Sequence, residues 1–224
     1  MTGGNVVEVM NQNAGPSHNE NAGVVRSSLA HAFTRSSNRD EGNSDAQATV
    51  TLEERAVSGL LLLRAVASTD ALSAALQSAY GVPLPSRLQS VQSEGYCVRW
   101  MSPDCWLISC ALDETFTIET TLRRAVEEHF AIVDVSGGYG VLHLSGADAI
   151  NVLKKSTGYD THPDNFSAGK VVNTTFAKAQ VTLRAVSTEA GHECYEIIVR
   201  RSFADYVFKW IQLAGEEYAL SLQP

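Results

Sequence analysis

The sequence predicts an α+β fold built as two successive halves. Three observations carry this. Short apolar runs bounded by turn residues recur from about residue 56 onward. Segments with apolar residues three and four apart fall between them. The two kinds come in the order β-α-β-β-α-β and then β-α-β-β-α, so the pattern comes round almost twice.

The elements follow in chain order. AVSGLLLLRAV (56–66) is an apolar run with the length of a buried strand. Ser68 or Thr69 caps a helix whose Leu72, Ala75, Leu76 and Ala79 share one face, and Gly81 stops it. VPLPSRLQS reads as a loop. GYCVRWM and CWLISCAL read as strands joined at Ser102-Pro103-Asp104, where proline pre-sets the turn. TFTIETTLRRAVEEHF is a helix by the spacing of Ile118, Leu122, Ala125, Val126 and His129 or Phe130, and AIVDVS is a strand.

The second series opens with the strand YGVLHLSG. Ser145 caps a helix over 146–157 that carries lysines near its C-terminal end and stops at Gly158. After an irregular stretch, TTFAKAQVTLRAV and ECYEIIVRR are paired strands separated at 189–192. Ser202 caps a last helix with Phe203, Tyr206, Val207, Trp210 and Ile211 as its packing face. Each half therefore matches the ferredoxin-like β-α-β-β-α(-β) pattern. The division is 56–136 and 137–218, forming one compact unit. Residues 1–50 hold seven asparagines and scattered apolar residues without period, which predicts a disordered or loosely attached extension.

Composition narrows the function. A formal net charge of -8 on 224 residues offers no basic patch, so nucleic acid is not an expected partner. The longest apolar run, LLLL at 60–63, is far short of a membrane span, and the N-terminus lacks a secretory signal pattern. Four cysteines without C-x-x-C spacing read as buried thiols in a reducing cytoplasm.

Candidate chemistry is sparse. SGGYG (136–140) is glycine-rich, but a strand follows it rather than a helix, which predicts a hairpin turn and not a phosphate cradle. Asp134 in AIVDVS is either a buried acid or a residue that faces the open side of the sheet or caps the next turn. His129, His143, His162 and His192 show no metal-ligand spacing. The densest polar stretch is YDTHPDNFSAG (159–169). Asp160 and Thr161 can bond local N–H groups, Pro163 holds His162 out of helical φ/ψ, Phe166 is an apolar anchor, and Gly169 permits positive φ. Each polar residue has a backbone role available, which favours a structural loop over a catalytic one.

An ordered series of motifs adds a resemblance. Trp100, Asp104 and Trp106-Leu107-Ile108 are followed by V-D-V-S (133–136) and L-H-L-S-G (142–146). D-x-H-P-x-x-F-x-x-G comes next (Asp160, His162, Pro163, Phe166, Gly169), then T-x-x-A-K-A-x-V-x-L (174–183) and R-R-S-F-A-D-Y from Arg200 and Arg201. The series, over roughly 57–216, resembles the gamma subunit of heterotetrameric sarcosine oxidase. The resemblance implies an aminomethyltransferase (GcvT-like) fold. It implies a complex with alpha, beta and delta subunits that oxidatively demethylates sarcosine to glycine and passes the one-carbon unit to tetrahydrofolate. FAD, FMN, NAD, zinc and tetrahydrofolate are then expected on other subunits, with no cofactor, metal or catalytic residue on this chain. Asp160, His162, Pro163, Phe166, Gly169, Arg200 and Arg201 are family-motif or interface candidates. The competing readings are the equivalent subunit of an N-methylglutamate-type dehydrogenase, a stand-alone folate-binding aminomethyltransferase-like protein, and an unassigned α+β binding module.

Overall fold

A computed structural model describes residues 7–8, 24–25, 27, 29, 31–32, 48–67, 69–186 and 194–223. Ser68 and the 189–192 connection lie outside the described residues, as does most of 1–50. Strands β1 (Val7–Glu8) and β2 (Val24–Val25) form a two-stranded ribbon. The other described strands build two larger sheets.

Strand β3 (Val50–Glu54) precedes the first repeat and belongs to the second sheet. The first sheet contains β4 (Gly59–Arg64), β5 (Ser90–Ser93), β6 (Tyr96–Ser102), β7 (Cys105–Cys110) and β8 (Ala131–Asp134), all antiparallel, in the order β5-β6-β7-β4-β8. Helices α1 (Thr69–Tyr80) and α2 (Thr115–Ala125) cover one face. β4 reads as an unbroken apolar run because both its faces are used. Leu61 and Leu63 enter the core with the helices, while Leu60 turns to the opposite face. β5 begins at Ser90, the last residue of the predicted loop, where the sequence predicts no strand. α2 ends at Ala125, earlier than its periodicity suggested. Val126 goes extended there, and Phe130 reaches the core from the connection, with Arg123 5.6 Å from its ring centre.

The second sheet adds β9 (Tyr139–Ser145), β10 (Val171–Phe176), β11 (Ala179–Val186), β12 (Cys194–Arg200) and β13 (Leu220–Gln223), in the order β10-β11-β12-β9-β3-β13. Helices α3 (Ala149–Ser156) and α4 (Arg201–Gly215) cover its outer face. The predicted single strand 174–186 is a β10–β11 hairpin folded at Ala177, which sits at φ 53. Both halves now read β-α-β-β-β-α-β. Their sheet orders coincide except that β3 is inserted between β9 and β13. Leu29 and Ala32, within the stretch expected to be loosely attached, are buried in this second core.

Several predicted caps fall elsewhere. Ser145 is the last residue of β9, and α3 starts after Asp148. Gly146 between them sits at φ +114, and a Cβ there would stand 2.2 Å from the Thr49 carbonyl oxygen, so β3 can pass only because the position is glycine. α3 ends through an extended Thr157 rather than at a left-handed Gly158. α4 begins at Arg201 with Arg200 at the N-cap, leaving Ser202 inside the helix. Its packing face is Ala204, Val207, Phe208, Ile211 and Ala214. Each of the larger three contributes roughly 1.5–3 kcal/mol by burial. Phe203, Tyr206 and Leu213 are turned outward instead, 46%, 37% and 66% exposed.

The two sheets meet through the faces that carry no helices. Leu60, Leu107 and Ile198 make a small apolar contact there, flanked by Leu62, Met101, Val135, Tyr139 and Val141. Ser136–Gly138 is a single 3-10 turn that carries the chain from one sheet to the other. The predicted hairpin cannot form, because the strands it joins lie in different sheets.

Candidate functional site

The most concentrated polar chemistry lies between the sheets. β6, β11 and β12 alternate so that Val98, Leu183 and Ile197 enter the helix-side cores. The intervening residues Arg99, Arg184 and Glu196 therefore point the other way. All three are at most 6% exposed. The Glu196 carboxylate accepts from Arg99 Nε and Nη2, both at 2.7 Å, and from Arg184 Nε at 2.9 Å and Nη2 at 3.3 Å. Arg99 Nη1 also donates to Ser109 Oγ at 3.0 Å, and Arg184 Nη1 to Gln92 Oε1 at 2.9 Å. Burial pushes the Glu196 carboxyl up, but Arg99 first, with His143 and Arg184, outweighs it and holds the group well below the usual carboxylate range. The cluster bolts one sheet to the other.

The cluster continues across the second sheet as a cross-strand row. Register places Glu53 opposite His143, His143 opposite Glu196, and Glu196 opposite Arg184. His143 Nδ1 lies 3.9 Å from Cys194 Sγ, and Nε2 lies 3.7 Å from Glu196 Oε2. Thiol, imidazole and carboxylate thus stand in the order of a nucleophilic triad, but the electrostatics oppose that use. Burial pushes the Cys194 thiol up, away from the thiolate a nucleophile requires. Glu196 is already committed to two guanidinium groups. The arrangement can hold strands in register; it does not activate sulfur.

The motif loop forms a second junction. Asp160 Oδ1 accepts the His162 N–H at 3.0 Å, and its other oxygen accepts from the Asn165 side chain. The backbone hydrogen bond from His162 draws the Asp160 carboxyl below its ordinary range, helped by Asn165. The His162 carbonyl accepts the N–H groups of Asn165 and Phe166, both at 2.8 Å. Phe166 is buried, edge-on to Tyr159 and stacked on Tyr195 at 6.1 Å. Gly169, at φ +87, donates to the Ala185 carbonyl at 2.9 Å and accepts the Ser90 N–H at 2.7 Å, which ties β5 to the second sheet. Asp160, His162 and Pro163 are exposed, as are Arg200 and Arg201 at the start of α4.

Other candidates resolve simply. Asp134 is exposed and caps the following turn, accepting the Ser136 N–H at 2.9 Å and its hydroxyl at 2.6 Å. Cys97, Cys110 and Cys194 are buried, Cys105 is half-buried, and all four are free thiols. No group of three metal-ligating side chains converges among the described residues. A cavity of about 140 Å³, lined among others by Arg55, Ser58, Ser136, Gly137, Tyr139 and Arg201, lies where the chain crosses between the sheets. That is below the roughly 300 Å³ at which small-molecule pockets begin. Among the described residues no helix is long and apolar enough to cross a membrane.

Arg99, Arg184 and Glu196 were not anticipated. Their signal was a charge alternating with apolar residues inside a strand, the same signal that drew notice to Asp134.

Two stacked sheets of repeated β-α-β-β-β-α-β order, with helices outside, define the fold class. It is the fold of the glycine cleavage system aminomethyltransferase T from Bartonella henselae, matched with a TM-score of 0.58 at 13% identity over 79% of this chain and 48% of that one. The particular family follows from sequence. Residues 64–217 match the model of the sarcosine oxidase, gamma subunit family, and the chain belongs to that family. It is 34% identical over 173 residues to sarcosine oxidase subunit gamma of Corynebacterium sp. (strain U-96), covering 76% of this chain and 81% of the relative. The Arthrobacter sp. subunit gamma is 31% identical over 172 residues, 76% and 82% of the two chains. A chain in the structure of heterotetrameric sarcosine oxidase from Corynebacterium sp. U-96, in complex with pyrrole 2-carboxylate, matches with a TM-score of 0.73 at 31% identity, covering 87% of this chain and 96% of that one.

Proposed function

We propose that this chain is the gamma subunit of a heterotetrameric oxidase that converts sarcosine to glycine and delivers the one-carbon unit to tetrahydrofolate, and that it supplies no catalytic group. The observation that carries this reading is the match along 96% of a chain from heterotetrameric sarcosine oxidase. The side-chain chemistry supports it. The polar cluster between the sheets is internally saturated, and burial pushes the Cys194 thiol away from the thiolate form. The outward aromatic and aliphatic side chains of α4, with Arg200 and Arg201 at its start, have the composition of an interface. FAD, FMN, NAD, zinc and tetrahydrofolate belong on the alpha, beta and delta partners, in the cytoplasm.

The test is co-expression with the flavin-bearing subunits. The chain should co-purify with them, and the complex should turn over sarcosine in preference to N-methylglutamate, forming peroxide and, with tetrahydrofolate, its methylene adduct. A stable, separate chain that itself binds tetrahydrofolate tightly would refute the subunit reading.

A further inference from the structure

The second sheet carries a strand that the first lacks, and β8 closes the first sheet as an edge of its own. Both repeats run through the same strand order, but the second sheet has six strands and the first five. The extra strand is β3, which comes from outside the repeat and pairs beside β9. On the same side β4, the counterpart of β9, pairs directly with β8, the counterpart of β13, and β8 ends the sheet.

The hydrogen-bonding phase of β8 can be read from one bond. The Val135 N–H donates to the Leu60 carbonyl at 2.8 Å, and the register then pairs Leu62 with Val133 and Arg64 with Ala131. Antiparallel pairs alternate, so Val133 and Ala131 face their backbone groups to β4. Ile132 and Asp134 direct theirs away from it, where no strand follows among the described residues. The side chains are as telling. Ile132 is buried, whereas Val133 is 53% exposed and Ala131 is also exposed. An edge of this kind is ordinarily blunted by lysine or proline, and Ala131–Asp134 has neither. Of the other three edges, β5 is tied down through Ser90 to Gly169, β10 donates its Val171 N–H to the Leu88 carbonyl and its Asn173 side chain to the Met101 carbonyl, and β13 packs Leu220 and Leu222 against the core.

Charge narrows the occupant. Glu127, Glu128 and Asp134 are exposed around this edge. Of the nearby cations, Arg64 is held by Asp104 at 2.8 Å and Arg123 by Glu119 at 2.8 Å, with Arg124 one turn back on α2. We propose that β8 is an acceptor edge. An extended segment of a partner oxidase subunit adds as a sixth strand, bonds the backbone of Ile132 and Asp134, lays an apolar side chain on Val133, and carries lysine or arginine beside it. The inference rests on the chain being an oxidase subunit.

The test uses the full chain, alone and in the co-expressed complex, with amide hydrogen exchange at Ile132 and Asp134 as the backbone readout. Assembly should slow both amides at least tenfold, and Val133→Lys, a change at an exposed position, should weaken assembly at least tenfold while the free chain keeps its melting temperature. If a complex forms but the two amides exchange as fast as in the free chain, the acceptor edge is wrong and the subunit reading stands. The edge proposal also falls if both amides become protected in the free chain as its concentration rises, because the occupant is then a second copy. Failure to form any complex would remove both.

Discussion

Glu196→Gln tests the junction between the sheets. The substitution keeps the size and shape of the side chain and removes its charge. Two guanidinium groups now share one carboxylate, at 2.7–2.9 Å through their Nε atoms, and all three side chains are buried. Without the carboxylate, Arg99 and Arg184 face each other uncompensated. Removing one partner from a buried charge cluster costs about 3–5 kcal/mol. For a chain of this size each kcal/mol moves the melting temperature about 2–4 °C, so the drop should be roughly 6–20 °C, read by calorimetry and urea unfolding. Replacing Arg99, Arg184 and Glu196 together with Met, Leu and Leu should cost much less, since no charge is left stranded. The pH dependence has a definite sign. The folded carboxyl titrates below its unfolded value, so its contribution is complete above about pH 4.3 and is lost as pH falls through the folded value. The gap between wild type and Glu196→Gln should therefore narrow in acid. An unchanged denaturation midpoint for Glu196→Gln, or a triple variant as weak as the single one, would refute the reasoning.

Three further outcomes are expected. Gly146→Ala places a Cβ 2.2 Å from the Thr49 carbonyl oxygen at φ +114, so it should cost about 3 kcal/mol or more by urea titration and loosen β3. Phe166→Ala removes a buried ring set edge-on to Tyr159 and stacked on Tyr195, and should cost about 3–5 kcal/mol in the same measurement. His162→Gln, at an exposed loop position whose ring accepts the Asp164 N–H at 3.3 Å, should lower thermal stability or assembly slightly and leave turnover per flavin unchanged. Loss of turnover in a normally assembled complex would contradict that role.

What could be read from the sequence was mostly local. The α1 helix, the turn at Ser102-Pro103-Asp104 and the Asp160 cap on the His162 N–H depend on residues a few positions apart, and the structure has them in place. The partners of β3 and β13 do not. Each is a short strand beside polar neighbours, and each gains its place only by pairing with residues nearly a hundred positions away or more. The rotation of the α4 packing face has a similar origin. Its aromatic residues drew the predicted stripe, but the core took the smaller Ala204 and Ala214, which let the helix lie close to the sheet. Arg99, Arg184 and Glu196 were individually noticeable as charges within apolar strands. Their convergence depends on two sheets stacking, and no local pattern encodes that.

The position of β3 also bears on the order in which the chain can be completed. Residues 50–54 leave the ribosome early, yet their neighbours on the two sides are residues near 145 and near 220. The first sheet, by contrast, is closed by contacts within residues 59–134. A nascent chain can therefore finish its first sheet while β3 still waits with both sides unpaired, and β3 is sealed only once the residues of β13 have been synthesised. Long-range closure of this kind slows folding and prolongs the exposure of strand edges. A chaperone, or a partner subunit engaged during synthesis, would have its longest opportunity during that wait.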